Sequence, residues 1–121
     1  MAEGQSVRRG DIWWLDWSPG RGSEQMGGRP ALVIQNDIGN QYSPTTIVAA
    51  VTTSRPRREY PFTVFISSSE SGLPQDSYAN LSQILTIDKS RLLRRAGRLQ
   101  ANRVRQVDEA IRVSLGLQDT E

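Results

Sequence analysis

The chain contains neither cysteine nor histidine. Without cysteine there are no disulfides and no thiolate metal sites, and nothing suggests a secreted, disulfide-stapled scaffold. Without histidine there is no Ser-His-Asp triad, no Cys-His pair, no zinc–histidine site and no ribonuclease built on paired histidines. Long apolar runs are missing too. None approaches the roughly 20 residues that a membrane-spanning helix needs, and the opening stretch MAEGQSVRRG lacks the apolar core of a signal peptide. The expectation is a cytoplasmic protein without a membrane partner.

Lysine is almost absent. Of the 15 basic residues only Lys89 is lysine, and arginine supplies the rest, for a net charge of +2. Arginine suits bidentate phosphate contacts and stacking on bases, because its guanidinium is planar and always charged. The basic residues also cluster, at Arg55-Pro-Arg-Arg58 and from Lys89 to Arg105, a stretch that holds no acid. A nucleic-acid partner and an arginine-rich solvated surface are both compatible with this pattern.

At 121 residues the chain fits one domain. Its core is expected over about residues 8–117, with frayed ends at 1–7 and 118–121. The aromatic run Asp11 to Trp17 predicts a strand, closed by the turn Ser18-Pro-Gly20. A loop of about a dozen residues (18–29) comes next, long enough to be functional. Strands are predicted at Pro30–Gln35, Thr46–Thr53, Phe62–Ile66 and Tyr78–Leu85, with a turn at Gly39-Asn40 and loops at 54–59 and 67–75. Asp88 can cap a short helix over Lys89–Arg94. Val104, Val107, Ile111 and Leu115 recur at helical spacing and predict a helix over Arg103–Leu115. Short strands followed by a terminal amphipathic helix indicate a mainly β fold, a small barrel or strongly bent sheet with a docked helix.

With cysteine and histidine gone, the polar candidates for chemistry are Glu24, Arg29, Thr52, Thr53 and Gln83. Arginine cannot act as a general base, but it can neutralise charge developing on a phosphoryl oxygen. A carboxylate such as Glu24 can take a proton, and a threonine hydroxyl can hold a non-bridging oxygen. This set suits metal-free phosphodiester work on RNA, with the ribose 2′-OH as internal nucleophile. A metal-dependent nuclease would need clustered carboxylates, whereas Asp11 and Asp16 are five apart and face opposite sides of a regular strand. Structural readings stand beside these: Arg29 can pair with Glu24 at the surface, Thr52 and Thr53 are ordinary strand residues, and Gln83 fits an exposed alternating position. Trp13, Trp14 and Trp17 read as core and subunit interface.

Taken together, several stretches resemble the MazF/PemK/Kid family of toxin endoribonucleases. They are Arg9-Gly-Asp-Ile-Trp13, Gly22-Ser-Glu-Gln-Met-Gly-Gly-Arg-Pro30, Leu32-Val-Ile-Gln-Asn-Asp37, Ala49-Ala-Val-Thr52, Gln83-Ile-Leu-Thr-Ile-Asp88 and Ser114-Leu-Gly-Leu117, in the right order from Arg9 to Leu117. The resemblance implies an SH3-like β-barrel with a C-terminal helix, working as a homodimer without cofactor or metal. It implies cleavage of single-stranded RNA at short motifs, leaving a 2′,3′-cyclic phosphate and a 5′-OH. It further implies a cognate, MazE-like antitoxin whose disordered acidic segment folds onto the toxin. By motif match Arg29 stands at the family's catalytic arginine and Thr52 at its catalytic threonine. Glu24 is placed with them as the nearest acid, because Ser82 stands where some members carry an aspartate. RNA contact is assigned to Ser18, Pro19, Ser23, Gln25 and Gly27 on the first loop, read as a mobile flap, and to Thr53, Arg55, Arg58 and Gln83. Two other readings keep a similar barrel: a gyrase-poisoning toxin of the CcdB type, and a non-catalytic RNA-binding module.

Overall fold

In a computed structural model, residues 6–16 and 28–117 are described. The elements run β1 (Asp11–Leu15), β2 (Arg29–Val33), α1 (Asp37–Tyr42), β3 (Thr45–Thr52), β4 (Thr63–Ile66), α2 (Ser68–Ser71), β5 (Ser77–Asp88), a 3₁₀ turn (Lys89–Arg91), β6 (Leu92–Arg98) and α3 (Ala101–Ser114). All strand pairs are antiparallel, in the order β4-β5-β3-β2-β1-β6.

The central strands are apolar on both faces, and both faces are covered. In β1, Ile12 joins one cluster while Trp13 and Leu15 join another; in β2, Leu32 divides from Ala31 and Val33 in the same way. Helix α3 covers the first cluster. Its Val107 and Ala110 are buried and Val104 and Ile111 pack beside them, the stripe expected from a 3.6-residue period. The helix ends at Ser114, so Leu115, assigned to the stripe from spacing, lies past it and is 58% exposed.

The turn after the edge strand β4 packs on the other edge strand, β6, through backbone rather than through a ladder. The end of α2 lies against β6 so closely that a Cβ on Gly72 would sit 2.0 Å from the Ala96 carbonyl oxygen, and one on Gly97 would sit 2.2 Å from that of Ser71. Gly72 also has φ +80, a conformation that ends α2 and that glycine adopts most readily. The mainly β architecture with a C-terminal helix is as expected from sequence.

Four local expectations are corrected. Gly39-Asn40 lies inside α1, not in a turn: Asn36 caps that helix by accepting from the Gly39 N–H at 2.7 Å. Buried Asn40 donates to the Gln35 carbonyl at 2.9 Å and accepts from the Thr46 hydroxyl at 2.7 Å. The supposed loop after β4 contains the single turn α2. Asp88 does cap, accepting from the Ser90 N–H at 2.8 Å, but over a 3₁₀ turn of 3 residues. Beyond that turn the chain forms β6, not helix, because Leu92 to Arg98 finds an open edge of β1 to pair with, and pairing overrides the helical propensity of Leu-Leu-Arg-Arg.

Candidate active site

Strands β2, β3 and β5 end or kink around one cleft of about 590 Å³, lined among others by Trp14, Arg29, Thr52, Thr53, Gln75, Asn80 and Gln83. Local chemistry accounts for each placement. Arg29 opens β2 opposite Leu15, and Pro30 behind it favours the extended backbone that it adopts. Pro30 is tolerated in an interior strand because the β2–β3 ladder starts one residue later, at Ala31. Gly28, at φ +74, lets the chain pass where a Cβ would stand 2.4 Å from the Leu15 carbonyl oxygen.

Thr52 is the last residue of β3, opposite Tyr78, and is exposed. Its hydroxyl oxygen accepts from the Ser54 N–H at 3.1 Å, which leaves its own proton for an incoming acceptor. Gln83 arrives through an irregularity in β5. Ala49 pairs with Ile84 and the next residue, Ala50, pairs with Asn80, so Leu81, Ser82 and Gln83 have no Cα partner in β3. The extra residues break the ladder with β3 and re-aim the strand, as bulges beside binding sites commonly do.

Thus the structure brings together Arg29, Thr52, Thr53 and Gln83. Arg55 and Arg58 are exposed on the segment between β3 and β4 and do not line the cleft. Glu24, Ser18, Pro19, Ser23, Gln25, Gly27 and Trp17 lie outside the described residues. Trp13 is fully buried, as its reading as core required, whereas Trp14 is half-buried at the cleft wall with the Arg94 guanidinium 5.1 Å from its ring centroid.

Among the described residues the cleft wall is arginine, hydroxyl, amide and apolar, with no carboxylate, and no group of three or more Asp or Glu gathers anywhere. The two carboxylates with shifted acidity lie elsewhere. Asp37 is held below its usual pKa chiefly by the Arg9 backbone N–H, and Asp88 by the Ser90 N–H; both brace helix starts. Asn80, Gln75 and Trp14 were not singled out from sequence as site residues, because regular alternation says nothing of a bulge. No helix among the described residues is long and apolar enough to cross a membrane.

This mainly β fold with a C-terminal helix has clear structural counterparts. The fold matches an endoribonuclease in complex with its cognate antitoxin from a mycobacterial species, with a TM-score of 0.78 at 23% identity over 95% of this chain and 100% of that one. It also matches MazF (Form-I) from Deinococcus radiodurans, with a TM-score of 0.72 at 25% identity over 93% and 98% of the two chains. In sequence, the chain is 49% identical over 113 residues to endoribonuclease EndoA of Bacillus subtilis, 93% of this chain and 97% of that protein. The profile of the PemK-like, MazF-like toxins of type II toxin–antitoxin systems matches residues 8–115. The chain belongs to that family.

Proposed function

We propose that this endoribonuclease toxin of the PemK/MazF type cuts single-stranded RNA without a metal ion, by attack of a ribose 2′-OH on the adjacent phosphorus. The 2′-oxygen–phosphorus bond forms as the phosphorus–5′-oxygen bond breaks. A base takes the 2′-OH proton, the leaving oxygen gains one, and the products are a 2′,3′-cyclic phosphate and a 5′-OH. The observation carrying this reading is that Arg29 and Thr52, from the ends of two neighbouring strands, line one cleft.

Arg29 stabilises the charge that builds on the phosphoryl oxygens, and Thr52 donates its hydroxyl proton to one of them. Glu24 is assigned as the proton acceptor. Gln83 and Thr53, with Ser18, Pro19, Ser23, Gln25 and Gly27 on the first loop, contact RNA, while Arg55 and Arg58 attract the phosphate backbone from outside the cleft. The protein acts in the cytoplasm as a homodimer of one-domain subunits, and a cognate MazE-like antitoxin silences it by covering the cleft.

The deciding experiment incubates the purified protein with single-stranded RNA in EDTA, then maps the new 5′ ends and the terminal phosphates. Cleavage at a recurrent short motif, ending in 2′,3′-cyclic phosphate and lost when the nucleotide at the cut carries 2′-deoxyribose, is expected. Cutting of the deoxy substrate overturns the internal-nucleophile route, and intact RNA overturns the ribonuclease reading for this chain.

A further inference from the structure

Asn80 is the polar cleft residue whose orientation the fold fixes. Its side-chain oxygen accepts from the Ser82 backbone N–H at 3.0 Å and from the Ser82 hydroxyl at 2.6 Å. A backbone N–H only donates, so the atom facing it must be the oxygen and the amide cannot be flipped. The bulge carrying this pair is tied from two sides. The Leu81 N–H donates to the Phe62 carbonyl at 2.8 Å, and the Ser114 hydroxyl of α3 donates to the Leu81 carbonyl at 2.6 Å. Asn80 itself sits between two ladders, opposite Ala50 of β3 and Thr63 of β4, and is half-buried.

With both acceptor directions of its oxygen used within the bulge, Asn80 has only its amide N–H groups left to offer. That nitrogen has no hydrogen-bond partner among the described residues, and Asn80 lines the same cleft as Arg29 and Thr52. Gln83 differs: it is exposed, and it can turn its amide to donate or accept. A held donor without a matching acceptor discriminates between bases, whereas a rotatable amide accommodates them.

Building on the ribonuclease reading, we infer that Asn80 is a specificity-determining residue, a fixed hydrogen-bond donor reading a keto oxygen (O4 of uracil or O6 of guanine) at one position of the cleaved motif. Cytosine and adenine present an amino group at the corresponding place, so donor would face donor and the Asn80 amide would lose its partner.

The test compares wild type, Asn80→Asp and Asn80→Ser on a randomised single-stranded RNA pool, with base frequencies at each position taken from the sequenced 5′ ends. Both variants retain an oxygen to accept from the Ser82 N–H, and their melting curves verify folding; if the aspartate variant does not fold, the serine variant decides. Ratios of competing sites in one pool are independent of the overall rate, which the added aspartate charge lowers. Wild type should prefer keto over amino bases about tenfold at one position, the worth of one well-made hydrogen bond. Asn80→Asp should shift that position alone towards cytosine and adenine, and Asn80→Ser should level it. A wild-type motif with no keto preference, an unchanged motif in the folded variants, or a change spread over every position would overturn the assignment. RNA left intact by wild type would instead sink the underlying ribonuclease reading.

Discussion

The Arg98 guanidinium, on the last residue of β6, donates from Nε to the Oδ1 of Asp11 at 2.7 Å, although Asp11 is fully buried and Arg98 is 44% exposed. The other Asp11 oxygen accepts from the Arg8 N–H at 2.9 Å and the Trp13 indole N–H at 3.3 Å. One buried carboxylate therefore joins the start of β1, the lead-in chain and β6. Its two ends are not equivalent. Asp11→Ala strands buried donors and should cost about 2–4 kcal/mol. Arg98→Ala takes the partner from one buried oxygen only, leaves the Arg8 and Trp13 donors on the other, and lets water in where the half-exposed arginine stood, so it should cost less, about 1–2 kcal/mol. Urea denaturation of the two variants gives the order, and equal losses would show that the ion pair, not the Asp11 hub, carries the energy.

Packing of the α2 end against β6 depends on Gly72 and Gly97, whose backbones leave no room for a methyl group. Gly72→Ala adds a left-handed backbone penalty to the overlap with the Ala96 carbonyl and should cost at least about 3 kcal/mol. Gly97→Ala meets only the overlap with the Ser71 carbonyl and should cost somewhat less. Because either substitution already forces the two segments apart, the double variant should be less unstable than the sum. Thermal melts of the two single variants and the double variant measure that coupling.

Which parts of this molecule were readable in its sequence depends on how local their causes are. Strands β1, β2 and β3 announce themselves as aromatic, aliphatic and β-branched runs, and α3 as a stripe at Val104, Val107 and Ile111. The strand β6 was missed because Leu-Leu-Arg-Arg has no strand signature of its own; only the free edge of β1 makes it one. Asn40 likewise looks like a turn residue until Thr46 and Gln35 supply its partners. The cleft was half legible. Arg29 and Thr52 stood out through motif resemblance, whereas their chemistry alone left surface and strand readings open. Asn80 was invisible, since its role depends on a bulge that skips three residues of β5, and a string carries no register.

Arg29 and Thr52 make separable demands on the reaction. Arg29 is exposed at a strand end, so Arg29→Ala should leave the melting temperature within a degree or two, yet lower RNA cleavage by about 10²–10³-fold through lost charge stabilisation. Thr52→Ala should slow single-turnover cleavage by about 10–10²-fold while a 2′-O-methyl RNA still binds, because one hydrogen bond from a neutral hydroxyl to the charged phosphate is lost. Thr52→Ser keeps that hydroxyl and should stay near wild type. Full activity in Thr52→Ala would take the hydroxyl out of the chemistry, and unfolding of Arg29→Ala would make the arginine structural.

Asp37 makes stability depend on acidity at a place far from the cleft. The Arg9 backbone N–H donates to its carboxylate at 2.7 Å, Asn40 donates at 3.1 Å, and Arg8 and Arg9 add favourable charge, so the folded pKa falls below the ordinary value of 3.8. A depressed carboxylate pKa means that the unfolded chain takes up the proton first. The contribution of Asp37 is therefore complete above about pH 4 and is lost as pH drops through the folded value. Asp37→Asn keeps an oxygen acceptor and removes the charge. Its stability deficit against wild type, under about 1 kcal/mol for so exposed a group after solvent screening, should be present at pH 6 and shrink as pH falls below the ordinary value of 3.8 through the lowered folded value. Urea titrations at pH 6 and along a series of falling acid pH values measure it, and a deficit that does not shrink as pH falls would show that the asparagine disturbs the start of α1 by shape rather than by charge.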